Sequence, residues 1–454
     1  MRLKKYKLAC FMWLIFSAAL SAQEKHIMDL NQMLEFARQN NYEIKEANLY
    51  KMQSQAKVKE VKGNGLPQIK SEVDYKHYIE RPVTVLDGAT LGRSGDILLP
   101  VGRIDNVDAS VQFSQLLFSL KYINGVKTAK KVTEIRDLEV DKAEEEMIQL
   151  LLNEYYNLLA IYANLNIIES NMESLAQMKH KISSLVTNGV ALKTDLDKIT
   201  VNYANLQANK EQVLAAINVQ SNNLKYIIGI EPNDELAIDT TGFHNLFKAS
   251  LITENTQENL TFDNLTEVQM LNKSLDLYNL KVKTEQAEKY PNVALYGSFM
   301  YQGMRNEFNF FDTNEKWYPV QVVGFKASIP IFTGFSNNAK IKQAKYDYCV
   351  TQNKMQKALS GLQLQYSNAL MQYNASVRNC QIQIDNIQLA KDVRHQEEMK
   401  YNEGMSTLTD LLISEKDLRT AEINYAQNFI TMKQAEVDLL KSKGLLKDYL
   451  VSHP

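Results

Sequence analysis

Two stretches of this chain are variants of one another: TNGVALKTDLDK at 187–198 and YNEGMSTLTDLLIS at 401–414. Gly189 and Asp195 of the first recur as Gly404 and Asp410 of the second, each 215 residues later. Gly229 in YIIGIEP and Gly444 in SKGLLKD keep the same 215-residue offset. Upstream, Phe118 and Phe332 match at 214, and Leu66-Pro67-Gln68 matches Tyr290-Pro291-Asn292 at 224, so an indel separates the copies. Solenoid units repeat every ~20–50 residues, far more often than this. The pattern predicts two tandem copies of one supersecondary module, at 23–230 and 260–454, joined by a linker over 231–259.

Residues 1–22 read as a cleavable export signal. Arg2, Lys4, Lys5 and Lys7 precede the apolar run Leu8 to Phe16, and small residues from Ser17 to Ala22 follow. The run is well short of the ~20 residues that a spanning helix needs. A lipid anchor needs a Cys after the run, and Cys10 stands at its start. Beyond this segment only Cys349 and Cys380 remain, so there is no disulfide framework. On one helix they lie roughly 45 Å apart. The formal net charge of −2 gives no sign of nucleic acid as a partner.

Within each copy the expected order is helix, strand, loop, strand, very long helix, glycine turn, return helix. In the first copy the lead helix runs from 30 to 62. Strands follow at about 67–79 and 106–118, a long helix at 121–188 and a return helix at 193–228. In the second copy the strands fall at about 292–301 and 319–332, the long helix at 336–403 and the return helix at 408–443. Val107, Ala109, Val111 and Phe113 alternate with Asp108, Ser110, Gln112 and Ser114. Such strands, about 9–12 residues long, match the length that crosses a bilayer when tilted. A soluble sheet with one wet face would also alternate. Aromatic residues near the strand ends and long turn-rich loops at 80–104 and 302–316 favour the membrane. Four strands cannot close a barrel and open edges are not tolerated in lipid, so if these strands span a membrane the chain must share one barrel with other copies.

Neither long helix contains proline, and Gly125 and Gly361 are their only glycines. A lead helix stacked on a return helix has the length of one long helix, as a tube of helices requires. On 336–403, Leu359, Leu362, Tyr366, Ala369, Tyr373, Val377, Cys380, Ile384 and Ile387 step by three or four, a coiled-coil-like seam. The histidines are scattered, and no nucleophile elbow, phosphate loop or dinucleotide fingerprint is present. No catalytic residue, metal site or cofactor is therefore expected. The rival reading is a structural coiled-coil protein of the envelope, anchored in the outer membrane by its strands.

With its duplicated strand pairs and paired Gly-x5-Asp turns, the chain resembles the TolC-like outer-membrane efflux channels over essentially its whole length after the signal. That resemblance implies an α+β membrane protein whose homotrimer forms a shared β-barrel, four strands per chain, running into a long periplasmic α-barrel. It also implies an outer-membrane location in a Gram-negative bacterium and a role as a passive exit duct, for small molecules or for type I secretion. The implied partners are outer-membrane lipid, a periplasmic adaptor and an inner-membrane pump of the RND or ABC kind. Gly189, Val190, Ala191 and Leu192, with Gly404, Met405, Ser406 and Thr407, become tips that dock the adaptor. Tyr401, Asp410 and Asp195 take the positions of pore and gate residues. Ser406 stands where the family's gate has an Arg, and Ile413 where some members carry a second acidic residue, so one acidic ring is expected. Three Asp410 carboxylates around one axis attract cations, and their crowding raises their pKa. A plainer role for Asp195 and Asp410 is to cap the returning helices.

Overall fold

The structure is a computed structural model that describes residues 25–87, 92, 94–238 and 262–447. The expected signal at 1–22, most of the linker and the last residues lie outside these. The chain divides into two compact units. One comprises Met1–Leu49, Asp137–Met270 and Met355–Pro454, the other Tyr50–Arg136 and Leu271–Lys354.

Seven helices are formed among the described residues: α1 Leu30–Asn40, α2 Tyr42–Gly63, α3 Leu120–Thr187, α4 Lys193–Ile228, α5 Thr266–Ala287, α6 Ser336–Asn402 and α7 Leu408–Lys443. Their bounds follow the punctuation of the sequence. α3 and α6 hold 68 and 67 residues without a break, each about 100 Å of helix. α4 and α7 both hold 36 residues, with the bounds expected. The lead helix is not continuous as expected. Asn41 leaves the helix at φ −56 and ψ 134. Its amide nitrogen donates to the Ile227 carbonyl at 2.7 Å, and its side-chain oxygen accepts from the Ile44 N–H at 3.1 Å. The end of α4 thus supplies the bond that holds the break open. At the corresponding place in the second half, Leu265 just before α5 lies against Gly444 at the end of α7.

The first unit is held by a core in which Met33, Leu34 and Ala37 of α1 meet Ile148, Leu151 and Leu152 of α3, Leu224 and Ile228 of α4, and Ile430 and Val437 of α7. Each side chain of this size contributes about 1.5–3 kcal/mol on full burial. A satellite cluster joins Val377 and Cys380 of α6 to Phe429 and Met432 of α7. It uses the expected seam, of which Leu362, Tyr366, Val377 and Cys380 are buried while Ile384 is not. Cys380 is a core filler whose thiol burial pushes up to about 11, and Cys349 is exposed; both are free. The same unit holds a short parallel pair, β1 (Lys25–Met28) and β6 (Glu235–Ile238).

In the second unit, β2 (Gln68–His77), β5 (Asp105–Phe118), β7 (Asn292–Arg305) and β8 (Tyr318–Ser328) form an antiparallel sheet in the order β2-β5-β7-β8. The register places Ile69, Val73, Tyr75, Val107, Ala109, Val111, Phe113, Leu295, Phe299, Tyr301, Val323 and Phe325 on one face. The other face carries Lys70, Glu72, Asp74, Lys76, Asp108, Ser110, Gln112, Ser298, Gln302 and Lys326, and toward β8 also Tyr296, Met300, Val320 and Val322. β7 runs four residues past its expected end because its pairing with β5 continues to Asp105–Arg305. β8 stops earlier than expected, ahead of Pro330 and the left-handed residues Gly334 and Phe335.

Both loops at the far end of the sheet are ordered by particular residues. The 80–104 segment, expected as loop, contains a hairpin of β3 (Val83–Asp87) and β4 (Asp96–Pro100). In the other loop the Arg305 guanidinium donates to the Met304 and Lys316 carbonyls, each at 2.9 Å, and lies 5.8 Å from the Phe310 ring. Phe310 and Phe308 pack on Tyr75, so this loop is folded back over the apolar face of β2.

Candidate gate and docking tips

Each long helix ends in the same backbone motif. Gly189 and Gly404 both adopt φ 75, the left-handed region that favours glycine. The N–H groups of Gly189 and Val190 donate to the carbonyls of Val186 and Leu185, at 3.0 and 2.9 Å. Those of Gly404 and Met405 donate to Tyr401 and Lys400, at 3.1 and 2.8 Å. These are the paired bonds of a Schellman cap, which satisfies the last carbonyls of a helix and reverses the chain. The two tips therefore have one geometry. Their starts differ, since Ala191-Leu192 lack the hydroxyls that Ser406-Thr407 supply.

At the second tip Thr407 is the N-cap of α7. Its hydroxyl accepts from the Asp410 N–H at 3.2 Å, and the Asp410 carboxylate accepts from the Thr407 N–H at 3.1 Å, a complete capping box. The Thr407 hydroxyl also lies 2.6 Å from that carboxylate. Ser406, standing where the family's Arg was expected, bridges two acids, with its hydroxyl 2.8 Å from Glu397 and 3.4 Å from Asp410. Hydrogen bonds from Thr407 and Ser406 hold the Asp410 carboxyl below the usual carboxylate range. Within one chain this is opposite in sign to the rise expected from crowding among copies. The capping role weighed from the sequence is present at Asp410. At the first tip the N-cap is Leu192, with no side-chain cap, and Asp195 instead lies 3.7 Å from Lys198.

Tyr401 of the second hairpin lies within electrostatic reach of Asp195 of the first. Tyr401 packs on a cluster of Ile182, Ile199 and Leu408, and burial followed by the nearby Asp195 charge raises its phenol pKa. Asp410 is apart from this pair, in a hollow it shares with Val393, Glu397, Ile413 and Asp417. Two lysine contacts tie the hairpins together at the tip. Lys181 donates to the Asn402 side chain at 2.8 Å, and Lys198 to the Thr409 hydroxyl at 3.1 Å. Sequence reasoning missed both, since the partners are more than 200 residues apart and no local pattern links them. The outermost side chains are apolar: Val190 is 73% exposed, and Leu192 and Met405 are each 69% exposed. Among the described residues, no three His, Cys, Asp or Glu side chains gather as a metal site.

The sequence over 261–445 matches the family described as Outer membrane efflux protein. The outer membrane protein TolC of Salmonella enteritidis is 20% identical over 446 residues, covering 94% of this chain and 86% of that protein. Among solved structures, the outer membrane protein VceC of Vibrio cholerae superposes with a TM-score of 0.68 at 16% identity, covering 91% of this chain and 96% of that one. CusC superposes with a TM-score of 0.71 at 13% identity, covering 91% of each chain. Over residues 261–445 the chain thus matches the Outer membrane efflux protein family, and across its described length it has the fold of the TolC-like outer-membrane channels.

Proposed function

We propose that this chain is the outer-membrane exit duct of an efflux assembly. Three copies share one barrel of twelve strands, four from each. The barrel continues into a tube of periplasmic helices, and the tips dock an adaptor that links to an RND or ABC pump. The observation that carries this reading is the four-stranded sheet. It has an apolar face, a polar face and two unpaired edges, β2 and β8. An apolar face of this length suits lipid, and edges left open in one chain need strands from the next. The structural-rod alternative has no use for a sheet polar on one side and apolar on the other.

The helices support the same assembly. On α6, Val350, Leu364, Met371 and Leu389 stand 14, 7 and 18 residues apart, which keeps them near one face of the helix, and each is more than half exposed. Such a stripe on a helix whose seam is already buried suits packing against a second copy. Tyr401 and Asp195 form the resting contact of the gate, and the Asp410 carboxylates, ionised at neutral pH, ring the narrowest point. Transport is passive, with energy and substrate choice supplied by the pump.

Planar-bilayer recording of the purified mature protein tests the duct. Discrete, long-lived, cation-selective steps are expected. A well-folded preparation that never conducts at acidic or neutral pH would favour the structural rod.

A further inference from the structure

The β2–β5 ladder does not stop where the sheet stops. After His77–Asp105, the Tyr78 N–H donates to the Ile104 carbonyl at 2.7 Å and the Val101 N–H to the Pro82 carbonyl at 2.8 Å. β3 and β4 then pair from Val83–Pro100 to Asp87–Asp96. β7 leaves β5 at Arg305, opposite Asp105, so among the described residues the β3–β4 ribbon has no third strand. It projects from the end of the sheet remote from α2 and α3, by about 15 Å for its five paired residues.

The ribbon's composition does not suit that position. Apart from Thr84, Asp87 and Asp96, every residue of the two strands is apolar. The register puts Val83, Val85, Leu98 and Pro100 on one face, which ends in the Asp87–Asp96 pair at the tip, and Val83, Val85 and Leu98 are each at least half exposed. A lone two-stranded hairpin is marginal in water, and one with bare apolar faces and open edges is an aggregation hazard. Lipid does not solve the problem. Glu80 and Arg81 precede the ribbon, Arg103 and Asp105 follow it, and Asp87 and Asp96 lie at its far end. These charges set it beyond the apolar band of the sheet. What covers it is protein, and the ribbon grows from β2, the open edge at which the proposed barrel joins copy to copy.

We infer that the β3–β4 ribbons of the three copies pack on one another through Val83, Val85 and Leu98. They form an apolar collar that narrows the outer mouth of the duct. The collar rests on the shared-barrel reading and adds to it a second constriction, at the loop end of the strands. Its partner is a second and a third copy of the same hairpin.

Cysteine cross-linking of the full mature protein tests the collar, in a Cys349→Ser background that removes the exposed native thiol. Leu98→Cys, oxidised by copper phenanthroline, is expected to give a covalent dimer that reduction reverses, and Val85→Cys the same. Val85→Asp combined with Leu98→Asp is expected to enlarge the unit conductance. A trimeric mass with no cross-link at either position and no change in conductance overturns the collar alone. Protection of both thiols from a water-soluble maleimide by lipid vesicles, without cross-linking, also overturns it and identifies lipid as the cover. A monomeric mass overturns the shared barrel together with the collar.

Discussion

Gly229 and Gly189 share a left-handed backbone and differ in surroundings, so they separate two costs. At Gly189 nothing lies within 4 Å of where a Cβ would sit, and Ala there meets only the backbone penalty of roughly 1–2 kcal/mol. At Gly229 the added Cβ would come 2.5 Å from the Asn40 carbonyl oxygen, an atom the packed end of α1 cannot withdraw. Gly229→Ala is therefore expected to lower the thermal midpoint clearly more than Gly189→Ala. Equal midpoints would contradict the close approach of α1 and α4. Asp410 also carries two separable roles. Its lowered pKa means that its bonds to Thr407 stabilise the tip above the unfolded-state pKa and are lost as pH falls through the lower folded value. Asn can keep the capping acceptor while removing the charge. Asp410→Asn should lose cation selectivity with a smaller fall in melting temperature at neutral pH than Asp410→Ala, which loses the capping acceptor as well. Reversal potentials in a salt gradient, paired with thermal melts, decide between ring and cap. The capping role of Asp410 was legible in the sequence as an acid in the first turn, and the Thr407 hydroxyl that completes the box was not read from it. The pairing of Tyr401 with Asp195 could be suggested only through the family resemblance, because the two side chains belong to different hairpins.

The helices were the legible elements. Proline-free runs bounded by Gly189, Gly229, Gly404 and Gly444 leave no other place for an end, and α4 and α7 fall where those glycines set them. The break at Asn41 was not legible, since Asn40-Asn41 contains neither Pro nor Gly and the break depends on the Ile227 carbonyl far along the chain. β3 and β4 were hidden by the glycines between them and by Pro100, which together read as loop. β1 and β6 are four residues each, too short for any periodicity. The tips make a prediction at this scale. Val190→Asp or Met405→Asp should abolish adaptor-dependent export in cells while leaving the conductance of the purified protein unchanged. Normal export in both variants would remove these turns as the docking surface.

For the molecule as a whole, the α6 stripe and the open strand edges make a joint prediction. Met371→Asp together with Leu364→Asp is expected to shift the purified protein from trimer to monomer by light scattering, with no loss of helix content by circular dichroism. An intact trimer would mean that this face of α6 is wetted in the assembly. The two faces of the sheet bear on how such a chain reaches its membrane. In β5, apolar Val107, Ala109, Val111 and Phe113 are separated one by one by Asp108, Ser110, Gln112 and Ser114. No contiguous window of that strand is greasy enough for a translocation machine to retain it as a stop signal. The lipid-compatible surface does not exist along the thread at all; it comes into being when strands line up side by side. Biogenesis is thereby ordered by geometry: passage through the inner membrane comes first, and affinity for the outer membrane arises only with folding.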